Sequence, residues 1–149
     1  MPAAVVVAPA KLTLSLRVTG VRDDGFHLID AEMVTLDLAD TLTIDDTGDG
    51  LEVVGHDVAV EVDDDNLVRR ALRAAGRTAH VRLDKRIPAG AGLGGGSADA
   101  SAVLRWAGAT DLDLAASIGA DVAFCLVGGR ARVRGIGEVV DPLPYEPRT

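Results

Sequence analysis

The sequence predicts an α+β fold, on three observations. Strand-like segments fill the first part of the chain, the clearest helical segments come after them, and no regular strand–helix–strand alternation runs throughout. A doubly wound parallel sheet would need that alternation, so a mostly antiparallel or mixed sheet with helices on one face is expected.

Val5–Ala8 is a short apolar strand, interrupted by Pro9-Ala10. From Lys11 to Val18 the chain alternates strictly, with Leu12, Leu14, Leu16 and Val18 in one phase and Lys11, Thr13, Ser15 and Arg17 in the other. Period two of this kind predicts a strand with its leucine face buried. Arg22–Gly25 reads as a turn. Glu32–Leu36 and Asp40–Ile44 follow as separate strands, Asp45–Gly50 as a hairpin end, and Leu51–Val54 and Val58–Val62 as short strands.

Asp63–Gly76 is the clearest helix: acids and Asn66 open it, arginines follow, and Gly76 closes it. Leu67, Val68, Ala71, Leu72 and Ala75 form its apolar stripe. The acid run Asp63–Asp65 at its start needs only the helix dipole as its reason, with a metal site as the weaker alternative. His80–Asp84 reads as a strand, Ser97–Ala107 as a second helix, and Asp111–Ile118 as a third. Ala123–Val127, Arg130–Arg134 and Glu138–Pro142 read as strands, separated by glycine turns at Gly128-Gly129 and Gly135-Ile136-Gly137.

A chain of 149 residues fits one domain. Hydrophobic residues make up 48% and aromatics only 3%, so the core is aliphatic. A net charge of −8 argues against nucleic-acid binding, which needs a basic face. The single cysteine, Cys125, excludes an internal disulfide and reads as a small buried hydrophobe rather than a catalytic thiol. The N-terminal segment lacks a positive n-region and no apolar run is long enough for a bilayer, which together predict a cytoplasmic protein without a membrane partner.

The most informative stretch is Pro88-Ala89-Gly90-Ala91-Gly92-Leu93-Gly94-Gly95-Gly96-Ser97-Ala98, set between a strand and a helix. Glycines let backbone N–H groups approach an anion closely. A helix start adds unpaired donors and the positive end of the dipole. The arrangement therefore suits phosphate. It is not a Walker A loop, since no lysine precedes Ser97, and it fits the dinucleotide fingerprint only loosely. Ser97 is placed as an N-cap, or as a hydroxyl facing a phosphate or its metal ion.

Four segments, taken together, resemble the GHMP small-molecule kinases: Ala8-Pro-Ala-Lys-Leu-Thr-Leu14, Arg22-Asp-Asp-Gly-Phe-His27, the glycine loop, and Gly119-Ala-Asp-Val-Ala-Phe124. Within that family the lysine segment and the Asp-Gly-Phe-His turn are most similar to the branch acting on 4-diphosphocytidyl-2-C-methyl-D-erythritol, a cytidine-diphosphate-linked alcohol of isoprenoid synthesis. The resemblance covers nearly the whole chain. It implies the family's N-terminal domain fold, of the kind of ribosomal protein S5 domain 2, and ATP with Mg²⁺.

The resemblance also implies roles by position. The loop from Pro88 to Ala98 would wrap the ATP phosphates, and Asn66 would lie near the adenine. Lys11 and Asp121 would be the catalytic pair, with the aspartate accepting the substrate hydroxyl's proton. Phe26 would stack on the cytosine, His27 would bond its edge, and Thr13, where the family usually has Asn, would lie near the substrate. Ala123 stands where the family usually has Pro. No set of metal ligands is read from the sequence. Taken from the residues alone, Lys11 is a solvated lysine, Asp121 a cap or loop carboxylate, Phe26 a core residue and His27 a turn residue. Family members carry a second domain that closes the cleft, and its absence here predicts exposed apolar surface and self-association. Another kinase of the family, with a homoserine or mevalonate-type substrate, and a nucleotide-binding domain without catalysis are the alternatives.

Overall fold

In a computed structural model, residues 3–55, 66–88 and 92–144 are described. They form six strands and four helices: β1 (Ala4–Val21), β2 (His27–Asp45), β3 (Gly50–Gly55), α1 (Leu67–Ala74), β4 (His80–Lys85), α2 (Gly95–Ala107), α3 (Leu112–Ile118), α4 (Val122–Val127), β5 (Arg130–Gly135) and β6 (Val139–Leu143). One mixed sheet runs β3-β4-β2-β5-β6, with β1 also paired to β2. The α+β class, the mixed sheet and the helices packed on one face agree with the sequence reading. The expected strand Val58–Val62 and the acid run Asp63–Asp65 lie outside the described residues, as do Ala89, Gly90 and Ala91 of the glycine loop.

β2 is the spine of the fold. Its C-terminal half pairs antiparallel with β4, its N-terminal half pairs antiparallel with β5, and β1 follows it along nearly its whole length. The two strand pairs expected on either side of Pro9 and around Asp37 are thus two long continuous strands. Pro9 is accommodated because β1 breaks register there, between Pro9 and Lys11, where a missing N–H costs least. The loop Asp45–Gly50 is not a hairpin end: β3 pairs in parallel with β4, which lies between it and β2.

The leucine stripe of β1 is the largest departure. A second register shift falls between Thr13 and Ser15. Leu12 pairs with Val34, whereas Leu16 pairs with Ala31, and Ala31 and Met33 point into the core. Residues 12 and 16 therefore face opposite sides of the sheet, because a bulge reverses the phase of everything beyond it. Neither side covers them: Leu14 and Leu16 are 50% and 60% exposed.

Helix α2 is the centre of the core. Seven consecutive residues, Ala98 to Leu104, are buried, and mostly small side chains allow that close packing. Phe124, Leu42, Ile44, Leu83 and Val133 surround it. The run Val122–Val127, read as a strand, is helix α4; six apolar residues carry no period that separates the two states. On the other sheet face Arg132 bonds Asp30, Arg130 bonds Glu32 and Arg134 bonds Asp141. These pairs are largely solvated and contribute little.

Candidate functional site

The N-terminus of α2 carries the site. Gly94 is its N-cap, with φ 67°, and no side chain caps the helix. Ser97 is therefore the third residue of the helix rather than its cap. Ala98 N–H returns to Gly94 O at 2.8 Å; the amides of Gly95, Gly96 and Ser97 precede the first intrahelical bond. Such a terminus offers donors and dipole to an anion.

Glycine is required here by contact as well as by φ. A Cβ on Gly94 would stand 2.8 Å from the Lys11 side chain, and one on Gly95 would stand 3.0 Å from Lys85 Nζ. Gly92 also has a positive φ, of 75°. Leu93 fixes the approach: its carbonyl accepts the backbone N–H of Lys11 at 2.9 Å. Pro88 is exposed at the near end of the loop.

Lys11 and Asp121, 110 positions apart in sequence (121 − 11), meet beside this terminus. Lys11 Nζ lies 3.0 Å from Asp121 Oδ2 and donates to Thr13 Oγ1 at 2.7 Å. The lysine is nearly enclosed, 6% exposed, so the reading of Lys11 as a solvated surface lysine fails. An ammonium has three donors; two are used, and the third has no protein partner among the described residues. Asp121 precedes α4 yet makes no capping bond. Its side chain keeps 29% exposure, so a reactant can reach it. Gly137 holds this corner, because a methyl there would overlap the carbonyl of Ala120.

Other expected residues fall elsewhere. Asn66 caps α1, its Oδ1 accepting from Val68 N–H at 2.8 Å. Phe26 and His27 lie at the turn of the β1–β2 hairpin, both exposed. Phe26 is half exposed with the Arg22 guanidinium 5.7 Å from its ring centre, so ordinary core packing does not account for it. Among the described residues no hydrogen bond or ion pair joins the turn to the Lys11–Asp121 pair. Cys125 is buried on α4, and its thiol is pushed up to about 12 by burial and by Asp121. A thiol held so high is not a nucleophile at neutral pH.

Sequence reasoning missed one cluster. Asp40, Lys85 and Asp99 are all buried, at 0%, 3% and 2% exposure. The signal was present: Lys85 is in phase with the buried Val81 and Leu83, and Asp40 with Leu42 and Ile44. A charge at a core phase demands a partner. Arg105 was also overlooked; from the last turn of α2 it donates to Val7 O and Cys125 O, tying β1 to α4.

The residues present fit a triphosphate, on the evidence of the uncapped helix start and the two glycines whose side chains have no room. No group of three or more His, Cys, Asp or Glu able to hold a metal occurs among the described residues. Mg²⁺ needs no such group where phosphates and one carboxylate supply its oxygens. No helix among the described residues is long and apolar enough to cross a membrane.

Residues 66–129 match the family model described as the GHMP kinases N terminal domain. The chain is 48% identical over 141 residues to the 4-diphosphocytidyl-2-C-methyl-D-erythritol kinase of Paracoccus denitrificans, covering 94% of this chain and 51% of that protein. The kinase of the same name from Paramagnetospirillum magneticum is 43% identical over 158 residues, with 95% and 55% covered. The chain thus spans about half the length of the curated relatives it matches. A crystal structure of 4-(cytidine 5'-diphospho)-2C-methyl-D-erythritol kinase superposes with a TM-score of 0.72 at 39% identity, over 94% of this chain and 55% of that one. The mevalonate kinase of Methanococcus jannaschii shares the fold alone, with a TM-score of 0.64 at 13% identity over 97% of this chain and 56% of its own. The chain belongs to the GHMP kinase family and has the fold of its N-terminal domain.

Proposed function

We propose that this chain is the nucleotide-binding half of a kinase that transfers the γ-phosphoryl group of ATP to the hydroxyl of 4-diphosphocytidyl-2-C-methyl-D-erythritol. The observation that carries this reading is the 3.0 Å Lys11–Asp121 pair at an uncapped, glycine-lined helix start. Phosphoryl transfer is mostly positioning and charge stabilisation, so a backbone cradle, one cation and one carboxylate are the parts needed.

Asp121 accepts the proton of the attacking hydroxyl. Lys11 orients that hydroxyl with its third N–H and pairs with Asp121, while Thr13 fixes the ammonium. The amides of Gly95, Gly96 and Ser97, with the loop from Pro88, hold the triphosphate; Asn66, at the start of α1, lies toward the adenine. Mg²⁺, carried by the nucleotide, neutralises charge on the phosphates. Phe26 offers an exposed ring for cytosine to stack on, and His27 a polar edge beside it. A homoserine or mevalonate-type substrate would leave that ring without a role.

A coupled ADP-release assay with Mg·ATP and the cytidine-linked alcohol tests the assignment, alongside calorimetry with a non-hydrolysable ATP analogue. Asp121→Ala is expected to lower transfer by about 10²–10⁴-fold while leaving analogue affinity nearly unchanged. Equal turnover in Asp121→Ala, or failure of the chain to bind the analogue, removes the reading. Analogue binding without turnover assigns the chain to nucleotide binding alone. The uncovered leucines of β1 extend the proposal to self-association of this chain; light scattering is expected to give a mass above 15.4 kDa, and a clean monomer at high concentration contradicts it.

A further inference from the structure

We infer that the buried Asp40–Lys85–Asp99 cluster is a positioning device that sets the spacing of the two flanks of the glycine-rich loop, and so its affinity for a triphosphate. The inference rests on the reading of that loop as a nucleotide site. Asp40, on β2, accepts the backbone N–H groups of Arg86 and Ile87 through Oδ1 at 2.7 and 2.8 Å. These are the residues leading out of β4 toward Pro88. Through Oδ2 the same carboxylate takes Lys85 Nζ at 2.6 Å. Lys85 Nζ then reaches Asp99 Oδ2, in the second turn of α2, at 3.0 Å. One ammonium thus joins the entry of the loop to its exit, and it lies directly beneath Gly95.

The charge count within the cluster is informative. Two carboxylates and one ammonium would leave a net negative charge buried under a site for a polyanion. Burial is the largest influence on Asp99 and raises its carboxyl well above the usual range; the neighbouring Asp40 raises it further, and Lys85 only partly opposes this. Burial also acts to raise Asp40, but hydrogen bonds from Asp99, Ile87, Lys85 and Arg86 outweigh it and its carboxyl is lowered. Burial and the neighbouring Asp40 both push Asp99 toward its neutral form, which lessens the negative charge buried beneath the site. Asp99 Oδ1, which has no hydrogen-bond partner, is the one unsatisfied buried side-chain atom among the described residues, and burial without a partner disfavours the charged carboxylate. The groups acting on it are Asp40 from β2 and Lys85 from β4; the Cys125 thiol of α4 feels its charge, as it does those of Asp121, Lys11 and Arg105. α1 turns Val68 and Ala71 to the core.

Two measurements on the whole chain test this. Lys85→Met, made with Asp40→Asn so that no charge is stranded, is expected to speed amide exchange at residues 92–97 in nucleotide-free protein and to weaken Mg·ATP by about tenfold or more. Asp99→Asn, nearly the same shape without a titrating proton, is expected to weaken affinity less than the double variant does and to abolish the fall in affinity that the wild type shows as rising pH ionises Asp99. A folded double variant with wild-type exchange and affinity overturns the inference, as does a pH-dependent fall that is unchanged in Asp99→Asn. Should the double variant fail to fold, the Asp99→Asn pH comparison decides alone. If the wild type binds no Mg·ATP, the kinase reading falls, while the exchange measurement still judges the cluster's hold on the loop.

Discussion

Lys11 and Lys85 lie against adjacent glycines at one helix start, and they are built to opposite ends. Each is buried, and each sits within 3.0 Å of an aspartate oxygen. Lys85 is closed in by two enclosed carboxyls and is almost wholly buried. Lys11 has a partly exposed aspartate, a threonine and, among the described residues, a donor left over. Two identical side chains thus take different work from their surroundings. A buried cluster in which one ammonium bridges two enclosed carboxyls fixes geometry. A pair whose carboxylate stays partly open to solvent is available for chemistry.

The comparison breaks most sharply at Gly94. With φ 67° and the Lys11 side chain 2.8 Å from any added Cβ, Gly94→Val has no rotamer that leaves Lys11 in place. We expect loss of roughly 1–3 kcal/mol of stability from the backbone conformation, read by thermal unfolding, and phosphoryl transfer near background. Transfer at the wild-type rate would show that the Lys11 position is not set by this contact.

Asp99→Asn sharpens the other side. Asp99 has a folded-state carboxyl raised above its unfolded value, so its favourable contribution is fully present below the ordinary carboxylate range and is lost as pH climbs toward the raised value. Asp40, lowered on folding, works in the opposite sense: its contribution is present above the ordinary carboxylate range and is lost as pH falls through its lowered value. The difference between wild type and Asp99→Asn isolates the first effect. Wild-type stability relative to the variant should decline with pH by at most about 1.4 kcal/mol per unit over that window, followed by denaturant unfolding at a series of pH values. A difference that grows with pH instead would reverse the assignment of the proton.

Thr13→Val is the mildest change. It removes one hydrogen bond to Lys11 Nζ, worth about 1 kcal/mol, and leaves the ion pair. Transfer should fall about five- to tenfold with little change in nucleotide affinity; an equal fall in affinity would place Thr13 in the phosphate cradle instead.

Much of this was legible in the sequence because it rests on local chemistry. The glycine run between a strand and an alanine-rich helix marked the helix start at residue 95, and the in-order segments around Lys11, Phe26 and Asp121 announced the family. The helix Asp111–Ile118 was readable from its cap, and Asp111 does accept from the amides of residues 113 and 114. What escaped depends on pairing between distant segments. Six apolar residues from Val122 look alike as strand or helix until Gly119 and Gly128 bound them in space. The leucines of β1 keep perfect period two on paper, yet the register shift at residue 14 splits them between two faces. Asp40 and Lys85 looked like ordinary strand charges because their phase with buried neighbours matters only once β2 and β4 lie side by side.

The same register shift makes β1 a jointed element. Residues up to Thr13 hold the lysine, residues 15–18 stay paired with residues 29–32 of β2, and the turn beyond them carries Phe26. The Lys11–Asp121 contact and the exposed ring of Phe26 thus sit on opposite sides of one register shift, so the turn can change its residues without moving the ion pair.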